Sequence, residues 1–186
     1  MTASKHPDQR QLSPLRIVAW IVLPVLLAWS LYYLFTEIGR FGTVVGVSMA
    51  PTLQVGDYYV LRMDAYNNDR RPERGDVIVY ELPDDANYAK RIVAIENDMI
   101  AILGGRVFLN GAWLNEPYIM EDTLTREVST VTVVPENAVF VLGDNRNHSE
   151  DSRDYGPVSI DDVVGRVTKI VWPRSRARSL RPVIYE

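Results

Sequence analysis

The chain has 186 residues, no cysteine and only two histidines, and its formal net charge at pH 7 is −4. The length suits one ordinary domain, and the lack of cysteine excludes disulfide scaffolds, thiol catalysis and cysteine-based metal sites. Nucleic-acid-binding proteins usually carry a basic excess, so this mild acidity gives no reason to expect DNA or RNA as a partner. We expect no metal or other cofactor, because His6 and His148 lie far apart and neither has the spacing of a metal ligand.

The first predicted element is the apolar stretch at residues 17–36, which has 20 residues and no charge. As a helix with a rise of ~1.5 Å per residue it covers roughly 30 Å, the thickness of the hydrocarbon core of a bilayer. It has no polar face, which argues against a buried helix of a soluble core. No A-x-A-like site follows it, which argues against a cleavable signal peptide. The stretch therefore predicts an uncleaved transmembrane helix in a lipid bilayer.

The charges that flank this stretch predict its orientation. Residues 1–40 carry a net charge of +2, and the remaining residues carry −6. Lys5, Arg10 and Arg16 precede the apolar stretch, whereas only Arg40 follows it closely. Because positive charge stays on the cytoplasmic side, we expect a cytoplasmic head at residues 1–16, an anchor at 17–36 in the cell (plasma or inner) membrane, and an extracytoplasmic domain at 37–186.

The predicted extracytoplasmic domain consists of short β-rich segments separated by Gly, Pro, Asn and Asp. No long amphipathic helix follows the anchor, so the pattern favours a mostly β domain built as a folded-over antiparallel sheet or barrel. The predicted strands are Thr43–Val47, Tyr58–Met63, Val77–Leu82, Tyr88–Glu96, Met99–Leu103, Arg106–Leu109, Glu127–Val134, Ala138–Leu142 and Val163–Trp172.

Between these strands the sequence predicts one hairpin and several loops. Asn110-Gly111 is typical of a type I′ turn, because both residues accept positive φ angles. Asp64–Arg74 and the polar segment Gly143–Pro157 are predicted loops. Pro173–Arg181, with four arginines, is predicted to be a solvated tail.

A serine and a lysine are the candidates for catalytic chemistry. A serine nucleophile needs a base, and neither histidine is placed to provide one. A buried lysine can act instead, because burial lowers the pKa of its ammonium group. Beyond the anchor the chain has only two lysines, Lys90 and Lys169, and Lys90 lies in the apolar pattern YAKRIVAI. Lys90 is therefore the candidate base.

Three motifs resemble those of bacterial type I signal peptidases, a family of serine endopeptidases with a Ser/Lys dyad. The segment GVSMAPTL at residues 46–53 resembles the family's nucleophile box, YAKRIV at 88–93 its Lys-Arg-Val-Val box, and GDNRNHSEDSR at 143–153 its Gly-Asp-Asn-x-x-x-Ser-x-Asp-Ser-Arg box. The closing VGRV and VWP segments at 164–173 are also typical of the family. With the anchor, the resemblance covers nearly the whole chain.

The resemblance implies a β-rich catalytic domain behind a single transmembrane helix, with Ser48 as nucleophile and Lys90 as general base. It implies that Ser149 bonds the Lys90 amine, that Asp151 pairs with Arg153, and that Asp144 pairs with Arg91. The oxyanion hole would use the backbone N–H of Ser48. Expected substrate contacts are Thr43, Val44, Val45, Gly46, Met49, Leu53, Asn87, Tyr88 and Ala89.

Two departures from the family pattern concern glycine. The family often has a serine two residues before the nucleophile, where this chain has Gly46, so the side-chain oxyanion donor is missing. The segment KRIVAIEND at 90–98 lacks the family's usual glycines, which leaves its turn geometry open. His148 also stands where the family commonly has Asn, and it is expected to be a solvated loop residue.

The implied substrates are the signal peptides of exported preproteins, cut after small residues of the Ala-x-Ala type by an enzyme expected to be monomeric. Ser48 lies 11 positions after Glu37, which limits its distance from the anchor to ~40 Å of extended chain. The alternatives are a conjugative pilin-maturation peptidase, a LexA-like self-cleaving regulator and a catalytically silent binding module. A LexA-like protein needs a DNA-binding head where this chain has the predicted anchor. The presence of both Ser48 and Lys90 argues against a catalytically silent module.

Overall fold

The computed structural model of the chain describes residues 14–37, 39–66, 70–83, 86–119, 128–181 and 183. The chain divides into two compact units, residues 1–38 and residues 39–186. Residues 1–13 of the predicted cytoplasmic head lie outside the described residues.

The first unit contains the helix α1, Pro14–Glu37, with Pro24 inside it. The side chains of residues 18–32 are all exposed, and Trp20 and Leu23 expose 75% and 71% of their surfaces. Among the residues described here, no helix is both long and apolar enough to cross a membrane.

The second unit is mostly β and antiparallel, as the sequence predicts. Its larger sheet has the strand order β1-β2-β11-β3-β4-β9-β10, with β12 paired to β11, and its smaller sheet has the order β7-β6-β5-β8. The strands are β1 Arg40–Thr43, β2 Tyr58–Arg62, β3 Val77–Glu81, β4 Asn87–Ala94, β5 Met99–Leu103, β6 Arg106–Leu109, β7 Ala112–Trp113, β8 Val128–Val133, β9 Ala138–Leu142, β10 Val158–Ser159, β11 Val163–Trp172 and β12 Arg178–Ser179.

The strands β3 and β9 of the larger sheet are apolar and buried along most of their length. Side chains alternate between the faces of a strand, so Val77 and Val79 of β3 pack in one core cluster while Ile78 and Tyr80 pack in another. The pairing of β3 with β4 places Lys90 directly opposite Ile78. A lysine in this register lies among apolar neighbours.

The Asn110-Gly111 turn is confirmed. The two residues have φ angles of 50° and 91°, and they connect β6 to β7. Both central residues of a type I′ turn need positive φ, and Asn and Gly tolerate this better than other residues.

The strand predicted at Thr43–Val47 is wrong in its position. The strand β1 ends at Thr43, where Thr43 pairs with Tyr58, and residues 44–46 have no regular structure. Val44 still exchanges backbone hydrogen bonds with Asp57 and Gly56, both at 2.9 Å. Beyond Val44 the described chain offers no neighbouring strand, so the ladder stops there.

The predicted tail is exposed along much of its length, but it is folded rather than free. Residues 174–176 form a short 3-10 helix, and β12 pairs with β11. The Arg176 guanidinium bonds both carboxylate oxygens of the buried Asp57 at 2.9 Å, so the tail belongs to the folded domain.

Two short helices interrupt the loop predicted at Gly143–Pro157. One is a 3-10 helix at Arg146–His148, and the other is α2 at Ser152–Tyr155. Several polar side chains of this loop are buried: Asp144, Asn145, Arg146, Ser149, Asp151 and Ser152. Their hydrogen-bond partners include one another, the turn that carries Ser48, and the side chains of Arg91 and Glu116.

Candidate active site

Ser48 and Lys90 lie side by side although 42 positions separate them. Ser48 lies in the turn that follows residues 44–46, and Lys90 projects from β4. The Lys90 Nζ is 3.0 Å from the Ser48 Oγ, a hydrogen-bonding distance. This is the geometry that a nucleophile and its general base require.

The environment of Lys90 shifts the pKa of its amine downward overall. Lys90 is 3% exposed, and burial lowers the pKa of its amine. The negative charges of Asp151 and Glu150 oppose this shift, and the Arg153 cation adds to it. The Tyr88 ring also lies against the amine, with its centroid 5.6 Å from Nζ. Burial dominates, so the net shift is in the direction that a catalytic base needs.

The turn that carries Ser48 is held from within and from outside. Within it, the Ala50 N–H donates to the Val47 carbonyl at 3.1 Å. From outside, the Asn145 backbone N–H donates to the Ser48 carbonyl at 2.9 Å, and its side-chain amide donates to the Val47 carbonyl at 3.2 Å. Asn145 therefore ties the turn to the loop after β9, a role that the sequence analysis did not assign.

Asp151 is the centre of the hydrogen bonds beneath Lys90. Its carboxylate accepts from the Ser149 hydroxyl at 2.7 Å, from the Gly143 N–H at 2.9 Å, and from Arg153 at 2.8 and 2.9 Å. Burial alone would raise the pKa of Asp151, but Arg153, together with the hydrogen bonds from Gly143 and Ser149, outweighs it and lowers that pKa. The pair of Asp151 with Arg153 is present, as the resemblance implies.

The predicted contact of Ser149 with the Lys90 amine stays a prediction. Because the Ser149 hydroxyl donates its proton to Asp151, only its lone pairs remain for Lys90. The amine would then be the donor in that contact. A donor–acceptor pair of this polarity would fix the orientation of the amine.

Arg91 and Asp144 form a buried, bidentate ion pair, with N–O distances of 2.8 and 2.7 Å. Arg91 also donates to the Thr52 hydroxyl at 3.2 Å and to the Gly75 carbonyl at 2.8 Å. The Tyr118 ring covers the guanidinium, with its centroid 4.0 Å from Cζ. Arg91 thus connects β4 to the segment that follows Ser48.

Two glycines at the site differ in what a Cβ would meet. At Gly46 an added Cβ would have no heavy atom within 4 Å. At Gly143 it would lie 2.2 Å from the Ser149 Oγ and 2.6 Å from the Ser48 carbonyl oxygen. Gly143 is therefore needed for close approach, whereas the position of Gly46 is open.

Among the described residues, nothing accepts a hydrogen bond from the Ser48 N–H. The amide is consequently available to an oxyanion, as the resemblance implies. No side chain at position 46 can supply a second donor.

A cleft of about 420 Å³ opens beside Ser48. It contains eight of the nine expected substrate-contact residues, the exception being Leu53. Its lining is Thr43, Val44, Val45, Gly46, Val47, Ser48, Met49, Tyr59, Ala86, Asn87, Tyr88, Ala89, Lys90, His148 and Glu150.

The expectation for Leu53 is wrong, because its side chain is fully buried in the core cluster that includes Val77 and Val79. Met49 is in the same cluster and also reaches the cleft. Leu53 therefore supports the turn from below. His148 and Glu150, which the sequence analysis did not place at the site, line the cleft and are exposed.

The described residues include no cluster of three or more His, Asp or Glu side chains that could hold a metal ion. The chemistry available at the cleft is that of a serine hydroxyl, a buried amine and a backbone N–H. Together these can attack a carbonyl carbon, stabilise the resulting oxyanion and return a proton to the leaving group.

The family model described as "Signal peptidase, peptidase S26" matches residues 15–172. Signal peptidase I of Bacillus caldolyticus is 34% identical over 167 residues, which cover 83% of this chain and 88% of that protein. Probable thylakoidal processing peptidase 2 of Arabidopsis thaliana is also 34% identical, over 74% of this chain, but the chain spans only 39% of that longer protein. Among solved structures, a signal peptidase I from Enterococcus faecalis V583 is 29% identical with a TM-score of 0.46, over 53% of this chain and 98% of that one.

Proposed function

We infer that this chain, which belongs to the peptidase S26 family of signal peptidases, is a serine endopeptidase that removes signal peptides from exported preproteins. Ser48 is the proposed nucleophile and Lys90 the proposed general base. The observation that carries this assignment is the 3.0 Å distance between the Ser48 Oγ and the Nζ of a lysine that is 3% exposed.

The proposed reaction begins with Lys90 neutral. Its amine takes the proton of the Ser48 hydroxyl while Oγ attacks the scissile carbonyl. The protonated Lys90 then gives that proton to the amine of the leaving segment. Neutral again, Lys90 takes a proton from the water that attacks the acyl-enzyme and returns it to the Ser48 Oγ. Asp151 and Arg153 hold the loop that carries Ser149, so their proposed role is to position the base rather than to react.

The proposed oxyanion hole relies on the Ser48 N–H. A backbone donor costs no reorganisation during the reaction, since its position is fixed by the turn. The contacts of Asn145 with the carbonyls of Ser48 and Val47 support this, because they hold the turn on both sides of the amide.

The cleft suits an extended peptide with small side chains near the cut. Residues 43–46 and 87–89 form two of its edges, and backbone on such edges can bind a peptide as an added strand. Met49 and Ala89 also line it. Side chains of this kind leave a shallow apolar surface, which favours alanine in the substrate.

We further propose that residues 17–36 anchor the chain in the cell membrane, with the β domain on the extracytoplasmic side. The 20 uncharged residues and the exposed apolar side chains along α1 support the anchor, since such a surface is stable in lipid and costly in water. The enzyme would act as a monomer.

Incubation of the purified full chain with a preprotein in detergent tests this function. Mass spectrometry should find one cut after an Ala-x-Ala-like sequence, and the Ser48→Ala variant should give none. A wild-type chain that leaves preproteins intact, or a cut that Ser48→Ala still makes, would contradict the assignment.

A further inference from the structure

One wall of the cleft makes no contact with the signal peptide in the proposed binding mode. Residues 43–46 and 87–89 hold the peptide before the cut, whereas His148 and Glu150 enter the cleft from the loop after β9. Both side chains are exposed. Under the proposed function, the segment after the cut would run past this wall.

Among the residues that the structure describes, Glu150 is the only acidic one that lines the cleft. Across the described part of the chain, none of the ion pairs involves Glu150. Its neighbours Ser149 and Asp151 are buried and bonded to each other at 2.7 Å. The backbone on both sides of Glu150 is thus fixed, and its side chain starts from a fixed point at the cleft surface.

The leaving segment must pass close to this carboxylate. Under the proposed function Lys90 protonates the leaving amine, so the new N-terminus forms within about 3 Å of Nζ. The charge of Glu150 reaches Lys90, since it raises the pKa of that amine against the larger effect of burial. The first residues after the cut therefore lie within the field of Glu150.

We propose that Glu150 selects the first residues of the mature protein, favouring a basic side chain just after the cut and disfavouring an acidic one. This specificity role rests on the proposed function. An exposed pair of charges at such a site changes kcat/KM by about two- to fivefold, and added salt weakens the effect.

Three peptides that differ only in the second residue after the cut test the proposal. That residue is Lys, Gln or Glu, and kcat/KM is measured with the full chain in detergent at low salt. The expected order is Lys above Gln above Glu, with about a two- to fivefold change at each step. Glu150→Gln should make the three values equal, and Glu150→Lys should reverse their order.

The ratio of kcat/KM between two of these peptides measures specificity separately from the overall rate of catalysis. Loss of the Glu150 charge also changes the ionisation of Lys90, but that effect is common to all three peptides and cancels. Glu136→Gln is the matched control, since Glu136 is an exposed carboxylate that does not line the cleft. This variant should keep the wild-type order.

Equal kcat/KM values in the wild type, or an order that survives in Glu150→Gln, would overturn the proposal while leaving the peptidase function intact. Failure of the wild type to cut any of the three peptides would overturn the proposed function and the specificity role with it.

Discussion

At the level of single residues, Lys90 illustrates how burial outweighs nearby charge. Two carboxylates, Asp151 and Glu150, favour the ammonium form of Lys90, yet the pKa of its amine is lowered. The Arg153 cation pairs with Asp151 at 2.8 Å and offsets part of that attraction. Arg153 thus limits the rise in pKa that Asp151 would cause alone, and burial still outweighs the net effect of the pair.

The pH dependence of kcat/KM should report the lowered pKa of Lys90. Protonated Lys90 cannot accept a proton, so activity should rise with pH and level off above the Lys90 pKa. Because burial lowers that pKa, the rise should lie below ~10.4, the ordinary value for lysine. Initial rates on a neutral peptide between pH 6 and 11 measure it.

Glu150→Gln tests the direction in which this pH profile should move. Glu150 raises the pKa of Lys90, so its removal should move the rise to lower pH. A profile that rises only above pH 10, or one that Glu150→Gln moves upward, would be inconsistent with a buried neutral lysine as base.

Gly46→Ser should fold normally and cut at the wild-type rate or modestly faster. An added Cβ at position 46 meets no heavy atom within 4 Å, and the new hydroxyl can supply the donor that this site lacks. Removal of one such donor elsewhere costs about 3–4 kcal/mol of transition-state stabilisation. A well-folded Gly46→Ser enzyme with most of its activity lost would show that the site depends on the missing Cβ.

Gly143→Ala is the contrasting variant, because its Cβ would lie 2.6 Å from the Ser48 carbonyl oxygen. Overpacking of this kind costs about 1–3 kcal/mol, and displacement of the nucleophile should lower kcat about tenfold or more. Urea unfolding and initial rates on the same preparations separate the two effects. Equal rates in the two glycine variants would contradict this contrast.

The proposed dyad and the two ion pairs near it could be predicted from sequence, because each lies in a motif. Asn145 and Glu150 lie in the same motif, but their contacts depend on how the loop after β9 folds over the turn. Glu150 alternates with the buried residues Ser149 and Asp151 and points into the cleft. Sequence alone did not indicate which residues of so polar a segment would be buried.

At the level of elements, strand identity was predictable and strand ends were less so. Apolar β-branched runs predicted every long strand, whereas β1 was placed several residues late because pairing partners, not composition, decide where a ladder stops. The turn after β4 was left open for lack of glycine. Asn97 occupies it with a φ of 68°, a conformation that asparagine tolerates.

The C-terminal tail stabilises the segment after the nucleophile. Arg176 pairs with Asp57, which is 1% exposed, and also donates to the carbonyls of Pro51 and Thr52, both at 3.3 Å. Arg178 donates to the same Thr52 carbonyl at 3.0 Å. A tail that appeared to be solvated in sequence thus holds this segment of the chain.

Arg176→Ala should lower the free energy of unfolding by about 1–3 kcal/mol, since it leaves the Asp57 carboxylate without its cation. Urea denaturation measures the loss. Arg174→Ala is the matched control on the same 3-10 helix, where Arg174 is exposed, and it should change stability by no more than ~0.5 kcal/mol. An equal loss of unfolding free energy in the two variants would mean that the ion pair of Arg176 with Asp57 does not stabilise the fold.

At the level of the whole molecule, the proposed topology joins a short cytoplasmic head to an extracytoplasmic β domain. Protease added to sealed right-side-out vesicles should digest the β domain and spare the anchor with its head, because the basic head stays inside. Immunoblots against each end measure the fragments. Complete protection would mean that the orientation is reversed.

The central claim is that Ser48 and Lys90 act as one catalytic unit, and a double-mutant comparison of cleavage rates tests it most directly. Ser48→Ala and Lys90→Ala should each remove nearly all cleavage of a preprotein, and the double variant should be little worse than either, because residues that act together lose function together. Lys169→Ala, at an exposed lysine on β11, should cut at the wild-type rate. Substantial cleavage by Lys90→Ala would contradict the claim.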